Sequence, residues 1–203
     1  MDQLTNEERN YLLRLNTAEK IQDYLDSIPF NHEIQGETCR SVREVMAHKE
    51  AHCLEGAMLA ACALSLQGRP PQILSLKVLE KDYDHVIALY KENGYWGAIS
   101  KTNHAVLGFR DPVYKTIREL ALSYFHEYFL VNNGEKTLRG YSSPINLNRF
   151  GKKWMSSSEN LFTIAEAICD APHNTIIPKG NEKLIRRATS LERTTAAISH
   201  DGK

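Results

Sequence analysis

The stretch that decides the fold is AHCLEGAMLAACAL, residues 51–64. Its larger apolar side chains recur at the spacing of one helix face, and small residues fill most of the remaining surface. This pattern predicts a helix that is buried on most sides. Gly68 and the pair Pro70-Pro71 end it, since glycine caps helices and proline cannot continue them. Cys53 is thereby placed at the start of a buried helix.

Three strand-like runs follow this helix. Residues 72–79 alternate apolar and polar side chains, residues 85–90 read HVIALY, and residues 95–99 read YWGAI. Asn93-Gly94, between the last two runs, is a strong signal for a two-residue hairpin. The sequence therefore predicts a short antiparallel sheet packed on the apolar helix, with His85 at the start of its second strand.

Further elements flank this centre on both sides. Capped helices are predicted before residue 51, and residues 113–128 have the apolar period of a long helix. Residues 137–150 are predicted to be irregular. We expect one domain over residues 1–175 and a polar, loosely attached C-terminal tail over residues 176–203. This order of elements predicts an α+β fold.

Composition excludes several classes of partner. The chain has 203 residues, with 25 basic and 25 acidic side chains and a formal net charge of zero. This balance disfavours nucleic acid and anionic membrane as partners. No run approaches the roughly 20 apolar residues of a membrane span, and the acidic start is unlike a signal peptide. Four cysteines without CxxC spacing indicate reduced thiols, so we expect a cytoplasmic protein.

No motif predicts a cofactor or a metal ion. The chain contains no P-loop, no GxGxxG and no HExxH. Cys39, His48, His52 and Cys53 match no zinc spacing. We therefore expect any chemistry to depend on protein side chains alone.

Cys53 and His85 together predict thiol chemistry. A thiol at a helix start lies in the positive field of the helix dipole, which favours the thiolate. A sheet packed on the helix can bring His85 to that thiol, and a cysteine with a histidine base is the minimal machinery of a thiol nucleophile. Backbone N–H groups of the first turn can hold an oxyanion. The pair predicts Cys53 as nucleophile and His85 as its base.

Residues 38–101 resemble the transglutaminase-like, papain-like-fold superfamily. Cys53 followed by small residues and leucines and then Gly68-x-Pro-Pro matches its core helix, and His85 followed by an apolar strand matches its histidine strand. The runs ETCRSVREV (37–45) and YKTIRELALSYF (114–125) are similar to a little-characterised bacterial branch. The resemblance implies a papain/transglutaminase-like core. It also implies cysteine-dependent acyl transfer from a peptide or amide substrate, protein substrates included, by hydrolysis or by transfer to an amine.

The third position of the site departs from this superfamily. Its aspartate lies four residues after the tryptophan that follows the histidine strand, and here Trp96 is followed at that spacing by Ser100. A serine can orient an imidazole but supplies no charge. Asn103 is an alternative, because a Cys-His-Asn trio works in papain-like enzymes, and Asp111 is a more distant one. The alternative function is a catalytically decayed transglutaminase-like module with a binding or structural role.

Three polar neighbours of the pair are given lesser roles. His52 is expected to cap the helix rather than act as base, because adjacent helical residues diverge. Glu55 is expected to face solvent or to cap the first turn, where the dipole favours an acid. Asp84 adjoins His85, but neighbours on a strand point to opposite faces, so we do not place it in the site.

Overall fold

The computed structural model describes residues 4–104 and 106–198. The helices are α1 (Asn6–Arg14), α2 (Ala18–Ser27), α3 (Val42–His48), α4 (Cys53–Leu66), α5 (Ile117–Ser123), α6 (Lys153–Ser156), α7 (Phe162–Cys169) and α8 (Ser190–Ala196). The strands are β1 (Gln72–Val78), β2 (His85–Glu92), β3 (Tyr95–Ile99), β4 (Arg110–Tyr114), β5 (Leu138–Ser142), β6 (Ile145–Asn146) and β7 (His173–Thr175). Short 3₁₀ turns lie at Leu147–Phe150 and Asn181–Leu184. The predicted α+β class is confirmed.

The strands form one antiparallel sheet in the order β4-β3-β2-β1-β5-β7, and β6 pairs with the start of β1. The predicted hairpin is confirmed, since Glu92 pairs with Tyr95. Asn93 and Gly94 have φ angles of 49° and 88°, which is the left-handed pair that a type I′ turn requires. The hairpin places the residue after β3 beside the first residues of β2.

Helices cover both faces of the sheet. Val86 and Ala88 of β2 belong to the same hydrophobic cluster as α4, whose residues 54–64 are all buried. Ile87 and Leu89 alternate with them and join the cluster of α5 on the opposite face. The helix that carries Cys53 therefore packs against the strand that begins with His85. No helix among the described residues combines the length and apolarity needed to cross a membrane.

Two local predictions are wrong. The long helix expected over residues 113–128 is a helix only at Ile117–Ser123, since a capping box of Thr116 with Glu119 starts it late. The preceding residues are drawn into the sheet, where Tyr114 pairs with Trp96. Residues 137–150, predicted to be irregular, contribute β5 and β6, both paired with β1. In both places, pairing with distant strands overrides the local pattern.

Several C-terminal residues contact the rest of the fold. Ile176 and Ile177 are buried, and the Ala188 N–H donates to the Gly134 carbonyl at 2.8 Å. Arg193 of α8 donates to the Asn132 carbonyl at 2.9 Å. These contacts join parts of the predicted tail to residues 132–134. The last part of the predicted tail, residues 199–203, lies outside the described residues.

Candidate active site

Cys53 is the first residue of α4 and is partly exposed. Burial acts to raise the pKa of its thiol, but hydrogen bonding and charge from His52 and His85 outweigh burial and lower the pKa to about 5. By contrast, Cys39 and Cys62 are buried, and burial raises the pKa of each to about 12. Cys53 is the thiol that this environment favours as a thiolate at neutral pH.

His85 is buried at the start of β2, and its ring is fixed from behind by Ser100. The ring Nε2 lies 2.7 Å from Ser100 Oγ, and that hydroxyl lies 2.9 Å from the Leu107 carbonyl oxygen. A carbonyl only accepts, so the serine hydroxyl donates to Leu107 and its oxygen accepts from His85 Nε2–H. Nδ1 is then the nitrogen left to exchange a proton with the thiol. Ser100 thus selects the tautomer of the ring, although it carries no charge.

Of the residues predicted for the third position, the structure brings Ser100 to His85. Among residues 4–104 and 106–198, neither Asn103 nor Asp111 is hydrogen-bonded to the imidazole. Asp111 lies on β4, with its side chain exposed. The residue suggested by its spacing from Trp96 is therefore the one that lies beside His85, rather than the residues suggested by an amide or a charge.

A residue that sequence reasoning missed holds the backbone of Ser100. Gln22 of α2 donates from Nε2 to the Ser100 carbonyl at 2.8 Å and accepts from the Ser100 N–H at 2.9 Å. Gln22 is itself buried. The main chain and the hydroxyl of Ser100 are therefore both fixed. The 78 residues that separate the partners leave no local signal for this contact.

Glu55 is fully buried and organises the loop before α4. Its carboxylate accepts from the Arg40 N–H at 2.9 Å, Thr38 Oγ1 at 2.8 Å, the His52 N–H at 3.0 Å and Asn31 Nδ2 at 3.3 Å. The expectation that it faces solvent is wrong, whereas the cap on the first turn is present. This one carboxylate joins the loop over residues 31–40 to the first turn of α4.

His52 caps α4, as expected, and also acts on the thiol. Its Nδ1 accepts from the Leu54 N–H at 3.3 Å, and its Nε2 lies 3.1 Å from the Thr38 carbonyl oxygen. Burial acts to lower the pKa of His52, but hydrogen bonding and charge from Cys53, with Glu55 adding to them, raise it to about 9. Nδ1 can accept the Leu54 N–H only while the ring is neutral, because protonation of His52 places a proton on that nitrogen. Capping of the helix and protonation of His52 therefore exclude each other. His52 therefore affects the ionisation of the Cys53 thiol in addition to capping the helix.

The backbone groups left for an oxyanion are fewer than the sequence suggested. The His52 side chain caps the N–H groups of Leu54 and Glu55, and the Gly56 N–H donates to the His52 carbonyl. The Cys53 N–H makes no hydrogen bond within the part of the chain that the structure describes. It is the first-turn amide that remains available beside the sulfur.

These groups provide a thiolate, an oriented imidazole and a free amide at one helix start. Such a set can form and resolve a thioester. Within the described ranges, no three His, Cys, Asp or Glu side chains are grouped so as to hold a metal ion. Neither a scan against protein-family models nor a search of curated proteins finds a match to this chain.

Proposed function

We propose that this protein is a cysteine-dependent acyl-transfer enzyme with a transglutaminase-like, papain-like core. Cys53 is the nucleophile, His85 the base and Ser100 the residue that orients the base. The observation that carries the proposal is the buried His85 ring, which is held by Ser100 Oγ and the Leu107 carbonyl and which acts with His52 to lower the pKa of Cys53. A thiol with a lowered pKa next to a fixed base is the arrangement that nucleophilic catalysis by cysteine requires.

The reaction follows from the positions of these groups. The Cys53 thiolate attacks the carbonyl carbon of a peptide or amide, and the oxyanion that forms accepts the Cys53 N–H. His85 donates a proton to the departing amine, which leaves a thioester on Cys53. Water or a second amine, deprotonated by His85, then attacks the thioester and releases the thiolate. Water makes the enzyme a peptidase or amidase, and an amine makes it a transglutaminase.

A catalytically decayed binding module is the second candidate, favoured by the absence of charge at Ser100. An aspartate stabilises the imidazolium that forms during the reaction, and a serine hydroxyl does so less well. Against this candidate, the hydroxyl still fixes the tautomer that the reaction needs, and the thiol pKa is still lowered. The surviving geometry therefore favours the enzyme.

A turnover assay separates the two candidates. The protein is incubated with glutamine-containing peptides and peptide amides, with and without a fluorescent primary amine. We expect ammonia release or amine incorporation that is lost in Cys53→Ala and about 10²- to 10⁴-fold slower in His85→Ala, the usual range for removing a general base. Cys169→Ala, which removes an exposed thiol, is the matched control and should keep full activity. If the protein binds peptides saturably but shows neither turnover nor a thioester detectable by mass spectrometry, the binding module is favoured instead.

Ser100→Ala should slow turnover by about tenfold or more, because His85 loses the acceptor that fixes its tautomer. It should also lower the free energy of unfolding by about 1–3 kcal/mol, since the buried His85 Nε2–H and Leu107 carbonyl are left unpaired. Turnover rate and urea unfolding measure the two effects. Asn103→Ala is the control and should change neither. A larger loss of turnover in Asn103→Ala than in Ser100→Ala would move the orienting role to Asn103.

A further inference from the structure

A pocket of about 460 Å³ lies between α5 and the C-terminal residues 176–186. It shares no lining residue with the candidate active site. Small-molecule sites have volumes in this range, and this one has room for about fifteen water-sized groups at ~30 Å³ each. One wall is apolar and includes Leu122, Phe125, Ile177 and Ile185.

The charged side chains that line this pocket are all basic. Arg118, Lys136 and Arg186 are among the lining residues, and His126 lies beside them. Within the described residues, no aspartate or glutamate contributes to the lining. Arg118 donates from Nη2 to the Ile176 carbonyl at 3.0 Å, which holds its guanidinium at the wall.

Lys136 is the most informative of these cations, because the residue is only 7 % exposed. Its ammonium lies 3.1 Å from His126 Nδ1, to which it donates, and no carboxylate in the described part of the chain forms an ion pair with it. The charge of Glu192 interacts with Lys136 and Arg186, but in the described part of the chain this carboxylate forms an ion pair with neither. An ammonium has three protons to donate, and a buried charge is costly unless it is paired. Among the described residues, Lys136 therefore has one hydrogen-bond partner, His126, and can donate to an anionic group in the pocket.

We propose that this pocket binds an amphipathic anion with one carboxylate head and an apolar chain of about ten carbon atoms, which fits within the volume above. Lys136 and Arg186 hold the head, and the chain lies against Leu122 and Phe125. The charge on Lys136 requires the head, and the apolar wall requires the tail. Neither a small inorganic anion nor an uncharged alcohol satisfies both.

Isothermal titration of the full-length protein with decanoate, below its micelle concentration, tests the proposal. We expect saturable binding with one site per chain. Decan-1-ol keeps the tail without the charge, and acetate keeps the charge without the tail. Decanol should bind at least about tenfold more weakly, since a hydrogen bond to a charged group is worth about 10- to 150-fold in affinity. Acetate should also bind at least about tenfold more weakly, because burial of each CH₂ group contributes about 0.8 kcal/mol. Decyl phosphate, titrated in parallel, separates a carboxylate from a phosphate head; tighter binding of the phosphate overturns the assignment of the head.

Variants locate the site. Lys136→Met and Arg186→Gln should each weaken decanoate binding by about tenfold or more. Lys152→Met removes the same charge from an exposed position outside the pocket lining and should leave binding unchanged. Arg186 is exposed, so its variant tests the pocket even if Lys136→Met fails to fold. Equal affinity of decanoate and decanol, or unchanged affinity in Arg186→Gln, overturns the proposal. The result is independent of the thiol, since Cys53→Ala should bind decanoate as the native chain does.

Discussion

At pH 5.5, iodoacetamide is expected to alkylate Cys53 at least about tenfold faster than any other cysteine of the folded protein. With the pKa of Cys53 at about 5, most of this thiol is ionised at that pH. Although Cys169 is exposed, desolvation by burial raises the pKa of its thiol above the ordinary value, so only a very small fraction of it is thiolate at that pH. A thiolate of low pKa is intrinsically less nucleophilic, which reduces the advantage of Cys53 but leaves the tenfold margin.

The pH profile of the same reaction gives the sharper result. The Cys53 rate should rise as the pH passes through about 5 and stay level from about pH 6.5 to 9, whereas the Cys169 rate should rise about tenfold per pH unit over that range. Mass spectrometry of the labelled peptides separates the sites. His85→Ala and His52→Ala should both move the Cys53 midpoint to higher pH. His48→Ala, which changes an exposed histidine on α3, should leave it in place. If all four cysteines of the folded protein show the same dependence of alkylation rate on pH, Cys53 is only a packing residue.

Replacing Glu55 with alanine is expected to lower the free energy of unfolding by about 3–5 kcal/mol. The buried carboxylate accepts four hydrogen bonds from the loop and the helix start, and its removal leaves the Arg40 N–H and Thr38 hydroxyl among the groups without that acceptor. For a chain of this length, such a loss lowers Tm by about 6–20 °C. Urea unfolding followed by circular dichroism measures it.

Glu50→Ala is the matched control for this prediction. Glu50 pairs with the side chain of Arg40 at 2.8 Å, but its own side chain is 37 % exposed. Exposed ion pairs contribute about 0–1 kcal/mol, so this change should cost far less. Glu55→Gln keeps the shape and one acceptor oxygen, and we expect it to fall between the two. A loss in Glu55→Ala no larger than that in Glu50→Ala would show that the loop is held by other contacts.

The parts of the fold that local patterns specify were predictable. α4 was visible because its apolar period and its Gly-Pro terminus are both short-range signals. The β2–β3 hairpin was visible because Asn93-Gly94 suits only a few turn types. By contrast, β5 pairs with β1 across a separation of 65 residues at Leu76 and Tyr141, and nothing in either segment indicates that partner. Residues 110–114 become a strand for the same reason, through β3.

The candidate site divides along the same line. Cys53 and His85 each stand at the first residue of a predictable element, and a fixed spacing from Trp96 reaches Ser100. The burial of Glu55 was missed because its acceptor role depends on a loop that folds back over the helix. The histidine cap was also hard to see, since capping boxes usually begin with serine or threonine. The candidate nucleophile and base were thus predictable from local patterns, whereas Gln22 and the loop over residues 31–40, which hold the surrounding groups, come from distant segments.

The two hydrogen bonds between Gln22 and the Ser100 backbone determine how much of the chain is needed to reproduce this site in another protein. The proposed nucleophile Cys53 and the proposed base His85 both lie within residues 38–101, which suggests that this segment alone could carry the site. However, the backbone of Ser100 is held by α2, and Lys101 next to it donates to the Leu25 and Ile28 carbonyls at the end of that helix at 2.8 and 2.5 Å. A chimaera that contained only residues 38–101 would carry Cys53 and His85 without the contacts from α2 that hold Ser100 and Lys101. The segment needed to reproduce the site therefore begins no later than α2. We expect a substitution at Gln22 to alter the position of Ser100 and, through His85, the reactivity of the Cys53 thiol, which lies 31 positions further along the chain.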